Sequence, residues 1–287
     1  MDPVTHTLVG AAVGQAFFSK RSKAAVPLMA AASNLPDIDG IVMMLPLPAA
    51  ITWRRTFGHS LFLLPVWCWL AAKVAKRVWK DEPLGRLFWL TALSAGLHLF
   101  FDLINSFGVL LLWPLDWRPE LAAVFIVDLV LTGLLLLAWL MGRRKRLFGR
   151  IGLAAAAAYI GLCLGLRQRA VNLLAEAREG DRTDFSYVFP EPFGPSRWRG
   201  VARAGGEYRV YLIDTNHSSV EVRETLQTEP EAPEAAKARA TPLGRRLDAF
   251  FKAPVYQLDE TGVRAFDLRF RPILLERHGV FEYRLEP

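Results

Sequence analysis

Apolar residues fill whole segments of the first 166 positions instead of recurring on one face, and the polar residues between them fall in short clusters. Six such segments can be drawn. Val4–Phe18 and Ala24–Leu35 are short for a hydrocarbon core about 30 Å thick, so they are expected to tilt, to be buried among other helices or to re-enter. Thr56–Ala72 carries no charge inside it except His59, and continues toward Trp79 with Lys73, Lys76 and Arg77 reaching outward along their stems. Leu87–Leu115 has only His98 and Asp102 as ionisable residues; Ser106-Phe107-Gly108 is expected to end its helix and leave Val109–Leu115 as an apolar return. Leu121–Met141 reads as a span interrupted by Asp128, and Ile151–Leu166 as a last, Ala- and Gly-rich helix.

After Arg169 the pattern changes. Val171–Ala177 reads as a short amphipathic helix. Tyr187–Val188, Trp198–Ala204, Tyr208–Ile213, Val220–Thr225, Val255–Leu258, Val263–Phe270 and Val280–Leu285 are short runs rich in β-branched and aromatic residues, the signature of strands. Gly205-Gly206 and Glu260-Thr261-Gly262 are turn signals, and Glu229–Arg239 reads as a loop or solvated helix. The fold expected is an α-helical membrane bundle of about five to six apolar helices over residues 1–169. A small, mostly antiparallel β domain follows over residues 170–287.

Composition agrees with this division: 52% of the 287 residues are hydrophobic and the mean hydropathy is +0.21. The net charge of +7 would suit nucleic acid in a soluble chain, but the basic residues sit beside apolar runs, which makes them a topology signal. Lys20, Arg21 and Lys23, then Lys73, Lys76, Arg77, Lys80 and Arg86, then Arg143, Arg144, Lys145, Arg146 and Arg150 put thirteen cations on alternate connections, against Arg54, Arg55 and Arg118 on the others. The rich side is expected in the cytoplasm. Pro36–Gly58, Asn105–Glu120 and the β domain are then expected outside, in the periplasm of a Gram-negative cell. The first residues show no basic region or cleavage pattern of a secretory signal, so the first apolar segment is expected to be retained. Cys68 and Cys163 each lie in an apolar run, which argues against a disulfide framework or a thiolate zinc site.

The chemistry lies in the histidines and aspartates of the first half. His98 and Asp102 are four apart on an expected helix and so emerge on one face. Asp37 and Asp39 flank Ile38 after Pro36, in a turn that brings two carboxylates close. His6 opens the first segment and His59 the third. Under the charge-based topology these six residues converge at one level, and Asp128 falls roughly 10 Å deeper at 1.5 Å per residue. Each alone has an ordinary reading: a lone intramembrane His is usually packed and hydrogen-bonded, Asp37 and Asp39 can cap a turn, and Asp128 can pair with an arginine. Together, several carboxylates in an apolar setting, each costing ~2.5–3.5 kcal/mol to insert, beside three imidazoles call for a cation. Mixed His and carboxylate donors suit zinc, with manganese or iron as alternatives, over calcium. More than four ligands suggest two ions. Arg54 and Arg55 precede this turn as candidate phosphate-binding residues or, equally, as headgroup-anchoring charges. Asn105 and Ser60 are candidate hydrogen-bond donors to the ligands, while His217 and His278 read as ordinary surface residues.

These stretches carry a resemblance. Thr5-His6 with Gly10, Leu35-Pro36-Asp37-Ile38-Asp39, Arg54-Arg55 through Gly58-His59-Ser60, and His98-Leu99-Phe100-Phe101-Asp102 occur in that order. Asn105-Ser106-Phe107-Gly108, Leu111-Leu112-Trp113-Pro114 and Phe125-Ile126-Val127-Asp128 follow. Over roughly residues 1–170 the chain resembles the YdjM-type inner-membrane metal-dependent hydrolases, which are distantly similar to the zinc-dependent phospholipase C and single-strand nuclease superfamily. The resemblance implies a membrane-bound hydrolase with a zinc site of one or two ions, and His6, Asp37, Asp39, His59, His98, Asp102 and Asp128 as its ligands. Beside the resemblance, the site's own position adds two expectations: Asp37 or Asp39 as general base and, because the site opens at headgroup depth, a phospholipid or lipid-linked phosphate as substrate. Two other classes stay open: an ion or proton transporter relaying through the same carboxylates, and a non-catalytic scaffold with a structural metal. The apolar stretches Val66–Ala72 and Leu129–Met141 speak against a through-pathway. A nucleic-acid partner is not expected, and protein partners are not legible.

Overall fold

A computed structural model describes residues 1–44, 50–180, 182–260, 262–275 and 281–285. It divides into two compact units, Met1–Met44 with Trp53–Cys163, and Leu45–Thr52 with Leu164–Pro287. Three positions read above, Thr261, His278 and Val280, lie outside the described residues.

The first unit is helical. α1 (Pro3–Val13) starts where Asp2 accepts from the Val4 and Thr5 amides and Pro3 supplies a preset first turn, and it runs on as a π-helical turn, Gly14–Phe18. α2 (Ala25–Ala32) lies so close to it that a Cβ on Gly10 would meet the Met29 carbonyl oxygen at 2.2 Å. A 3-10 helix over Pro36–Met44 carries Asp37 and Asp39. α3 (Leu64–Val78), α4 (Leu84–Leu103), α5 (Leu129–Arg144) and α6 (Arg146–Glu176) follow. Leu8, Val9, Phe101, Ile104, Leu131, Leu135 and Ile160 form one core, and Ala25, Leu28, Met29, Leu87 and Leu90 a second.

α2, α4 and α5 are shorter than the apolar segments predicted for them, while α6 is longer. Among the described residues two, Leu84–Leu103 and Arg146–Glu176, are long and apolar enough to cross a membrane. α1, α2, α3 and α5 have 11, 8, 15 and 16 residues. Three boundaries moved for identifiable reasons. Thr56–Leu63 is a turn region held by Leu61 N–H to the Leu111 carbonyl, 2.8 Å, and the helix begins only at Leu64, next to Pro65. Leu121–Asp128 is not helical, because Asp128 is the N-cap of α5 and accepts from the Leu131 amide at 2.8 Å. The expected separate helix at Val171–Ala177 is instead part of the 31-residue α6. Val66, Trp69, Leu70 and Val74 on α3 and Leu136, Leu137 and Leu140 on α5 remain exposed. Such contiguous apolar surface is costly in water and ordinary in lipid.

The second unit contains an antiparallel four-stranded meander, β1 (Phe185–Pro190), β2 (Arg197–Ala204), β3 (Glu207–Asp214) and β4 (Ser219–Gln227). Gly205-Gly206 makes its β2–β3 turn, Gly205 at φ 58, with Ala204 paired to Glu207. Two short helices, α7 (Pro233–Ala240) in the stretch read as loop or solvated helix and the unforeseen α8 (Pro242–Phe250), precede a second antiparallel sheet. Its strands are β5 (Pro254–Asp259), β6 (Gly262–Asp267) and β7 (Tyr283–Leu285). Phe189, Val201, Tyr208, Val210, Val255 and Phe266 fill the space between the sheets.

A candidate metal centre

Three elements of the helical unit deliver its polar side chains to one place. The i, i+4 spacing on α4 puts His98 and Asp102 on one face near the helix end. The 3-10 helix brings Asp37 and Asp39, and the Thr56–Leu63 turn brings His59. That turn can approach because residue 58 is glycine: a Cβ there would lie 2.1 Å from the Pro36 carbonyl oxygen. Candidate ligand atoms of Asp37, His59, His98 and Asp102 all lie within 4.8 Å of one another. His59, His98 and Asp102 are buried, and Asp37 is 17% exposed.

The hydrogen bonds fix which nitrogens carry protons. His98 Nδ1 lies 2.6 Å from the Ser33 carbonyl oxygen, which only accepts, so Nδ1 donates and Nε2 keeps its lone pair. His59 Nδ1 donates to Asp39 Oδ2 at 2.8 Å, the same oxygen that accepts the Thr56 amide at 2.8 Å. His59 Nε2 is then also a lone-pair nitrogen in the neutral ring. Yet His59 Nε2 lies 3.1 Å from His98 Nε2 and 3.1 Å from Asp102 Oδ2, and His98 Nε2 lies 3.4 Å from that oxygen. With both rings neutral, three acceptors point at one another; Asp102 Oδ2 also takes the Arg55 Nε–H, while the two bare imidazole nitrogens have no proton between them. One proton can serve one of these contacts at a time; a cation serves all three.

His6 packs beside the cluster, its ring stacked on His98 at 3.7 Å and its Nε2 3.2 Å from Asp102 Oδ1. Its Nδ1 is buried without a hydrogen-bond partner, as is Asp39 Oδ1. His6 and Asp39 lie beside the four residues whose ligand atoms are mutually close and are not of that group. The Met1 main-chain nitrogen also meets Asp102 Oδ1.

Two expected residues have other partners. Arg55, a candidate for binding substrate, is buried and grips Asp102: its Nε lies 2.8 Å from Oδ2 and its Nη2 2.9 Å from Oδ1, while Nη1 donates to Asn105 Oδ1 at 2.9 Å. Burial lowers the guanidinium pKa from its ordinary value and the Asp102 charge opposes that. Both edges of the fork are spent inside the protein. Asp128, expected as a deeper ligand, accepts from the Leu131 amide and from the Tyr159 hydroxyl at 2.8 Å each, tying α5 to α6. Arg54 is more exposed and pairs with Asp37 Oδ1 at 3.0 Å. Ser60 donates to the Trp113 carbonyl, away from the ligands. His217 is exposed beside Asp214. Sequence reading missed the Ser33 carbonyl and the Arg55–Asp102 pair, which link positions 65 and 47 apart in the chain and leave no local signal.

Apolar helices that bring imidazole and carboxylate groups together at one end define a class: helical proteins with a candidate metal site between their helices and connecting turns. The particular family is the YdjM inner membrane protein family, to which this chain belongs; the family model matches residues 1–170. No curated protein and no solved structure matches the chain.

Proposed function

We propose that the protein is a multi-pass inner-membrane, metal-dependent hydrolase acting on an ester or phosphoester at the periplasmic face, with a phospholipid or lipid-linked phosphate as substrate. The observation that carries the reading is the convergence of the bare Nε2 atoms of His59 and His98 with Asp102 Oδ2. His59, His98, Asp102 and Asp37 would hold the ion, zinc foremost with manganese or iron as alternatives, and the free Nδ1 of His6 stands ready for a second ion. A divalent cation supplies Lewis-acid polarisation and a more acidic water there. The protein's own groups do the rest. Asp39 fixes the His59 ring and Arg55 fixes Asp102. Asp37 takes a proton from the attacking water, whose oxygen bonds to the ester carbon or phosphorus as the bond to the leaving oxygen breaks, and returns that proton to the departing alkoxide. Arg54, paired with Asp37 and partly exposed, is the cation placed to meet a substrate phosphate. The distribution of basic residues supports the topology, with the β unit in the periplasm.

Metal analysis of purified wild type and of a His98→Ala/Asp102→Ala variant, with a lipid-phosphate hydrolysis screen on the same samples, tests this. Bound metal and turnover should vanish together. Full metal content in the variant rejects the ligand assignment. The near-complete burial of His59, His98 and Asp102 favours one second reading, a structural metal in a non-catalytic scaffold; metal-replete wild type without turnover on any ester would select it.

A further inference from the structure

A second polar constellation lies at the other end of the helical unit. Gln15 is nine residues beyond His6 along the first helix, about 14 Å at 1.5 Å per residue. There α5 ends in Arg143 and Arg144, Lys145 is its extended cap, and α6 starts at once with Arg146. The reversal is tight because small residues let the two backbones touch: a Cβ on Gly149 would lie 2.9 Å from Gly142 Cα, and one on Gly152 2.7 Å from Ala138 Cα. The result is a cleft of about 510 Å³ lined by Lys20, Arg143, Arg144, Lys145, Arg146 and Arg150 and, among the described residues, by no carboxylate.

Helix chemistry accounts for only part of this. Arg143 and Arg144 complement the negative C-terminal end of α5. Arg146 and Arg150 stand in the opening turns of α6, where the dipole is already positive and no acidic residue offsets it. Arg150 is held in place by donating to the Ala16 carbonyl at 3.2 Å and by lying over the Phe17 ring. Like charges thus surround a concave space, and no described residue lining it supplies a counter-charge. At the edge of the cleft Leu147 and the neighbouring Phe17, Phe148 and Ile151 are exposed, an apolar border suited to acyl chains.

We propose that this cleft binds the phosphate headgroup of an anionic phospholipid of the surrounding membrane. Basic clefts between membrane helices are suited to such headgroups, and the exposed apolar border favours a lipid over free phosphate. The site is independent of the hydrolase reading.

The test is a titration of detergent-purified full-length protein with fluorescent phosphatidylglycerol at physiological ionic strength, with phosphatidylcholine and inorganic phosphate as separate arms. Phosphatidylglycerol should bind and phosphatidylcholine should not. Arg144→Gln/Arg146→Gln should weaken binding about 25-fold, at about fivefold per charge, equivalent to ~1 kcal/mol per basic residue near a membrane surface. Arg143→Gln/Lys145→Gln, which leaves the α6 start intact, should weaken it comparably. Lys73→Gln/Arg77→Gln on α3 should leave it unchanged. Wild-type affinity in both cleft variants, or an equal loss in the α3 control, would overturn the proposal. Displacement of the lipid by inorganic phosphate with the same dependence on the cleft arginines would overturn its lipid assignment.

Discussion

Asp39 Oδ2 accepts two hydrogen bonds, from His59 Nδ1 and from the Thr56 amide, each 2.8 Å long and buried. Asn at this position keeps the shape and an acceptor oxygen but loses the charge. A hydrogen bond to a charged group contributes about 1.5–3 kcal/mol and a neutral one about 0.5–1.5, so the hold on His59 weakens by roughly 1–1.5 kcal/mol. The Thr56 bond loses a similar amount. Groups that orient a metal-binding imidazole this way typically change affinity by about 10–100-fold when replaced. Asp39→Asn is therefore expected to raise the zinc Kd about 10–100-fold without changing the number of ions bound. Competition against a chromophoric chelator, in detergent, reads both quantities from one titration. An unchanged Kd would show that Asp39 does not hold the imidazole. Loss of all bound zinc, as in the His98→Ala/Asp102→Ala protein, would make Asp39 a ligand in its own right and break the assignment.

Gly58→Ala places a methyl 2.1 Å from the Pro36 carbonyl; overpacking of this kind costs about 1–3 kcal/mol, and both thermal stability and zinc affinity should fall, whereas an unaltered zinc titration would contradict the approach of turn and 3-10 helix. Tyr159→Phe removes the donor to buried Asp128 and should lower stability by about 1–3 kcal/mol with metal content intact; metal loss there would return Asp128 to the site. In the β unit, Arg264 holds Glu282 through two nitrogens, and this bonding keeps the Glu282 carboxyl below its ordinary range. A depressed folded pKa gives stability that is present above the unfolded value of about 4.3 and is lost as pH falls through the folded value. Arg264→Gln should therefore lower the unfolding temperature at neutral pH and match wild type once Glu282 is protonated; a difference that persists in acid would point to packing instead of charge.

The site was more legible than the helices. Four-residue spacing gave the shared face of His98 and Asp102, and Pro36-Asp37-Ile38-Asp39 gave a turn with two carboxylates, because both signals are local. Helix boundaries were hidden where the chain is apolar on both sides. Within Leu121–Met141 an Asp ahead of an apolar run reads equally as a helix cap or as an intramembrane charge, and its bond to the Leu131 amide makes the difference. Arg55 looked like an outward-facing cation because its partner lies 47 residues on. The β strands were readable from their aromatic and β-branched runs and the Gly205-Gly206 turn, while α8 went unread although Thr241-Pro242, a capping hydroxyl followed by proline, marks its start.

X-ray absorption at the zinc edge of the metal-loaded protein tests the convergence of His59, His98 and Asp102 most directly. The account predicts a shell of nitrogen and oxygen near about 2.0 Å with outer scattering from at least two imidazoles, one of which disappears in His98→Ala. A sulfur shell, or an imidazole count that His98→Ala does not change, would contradict it.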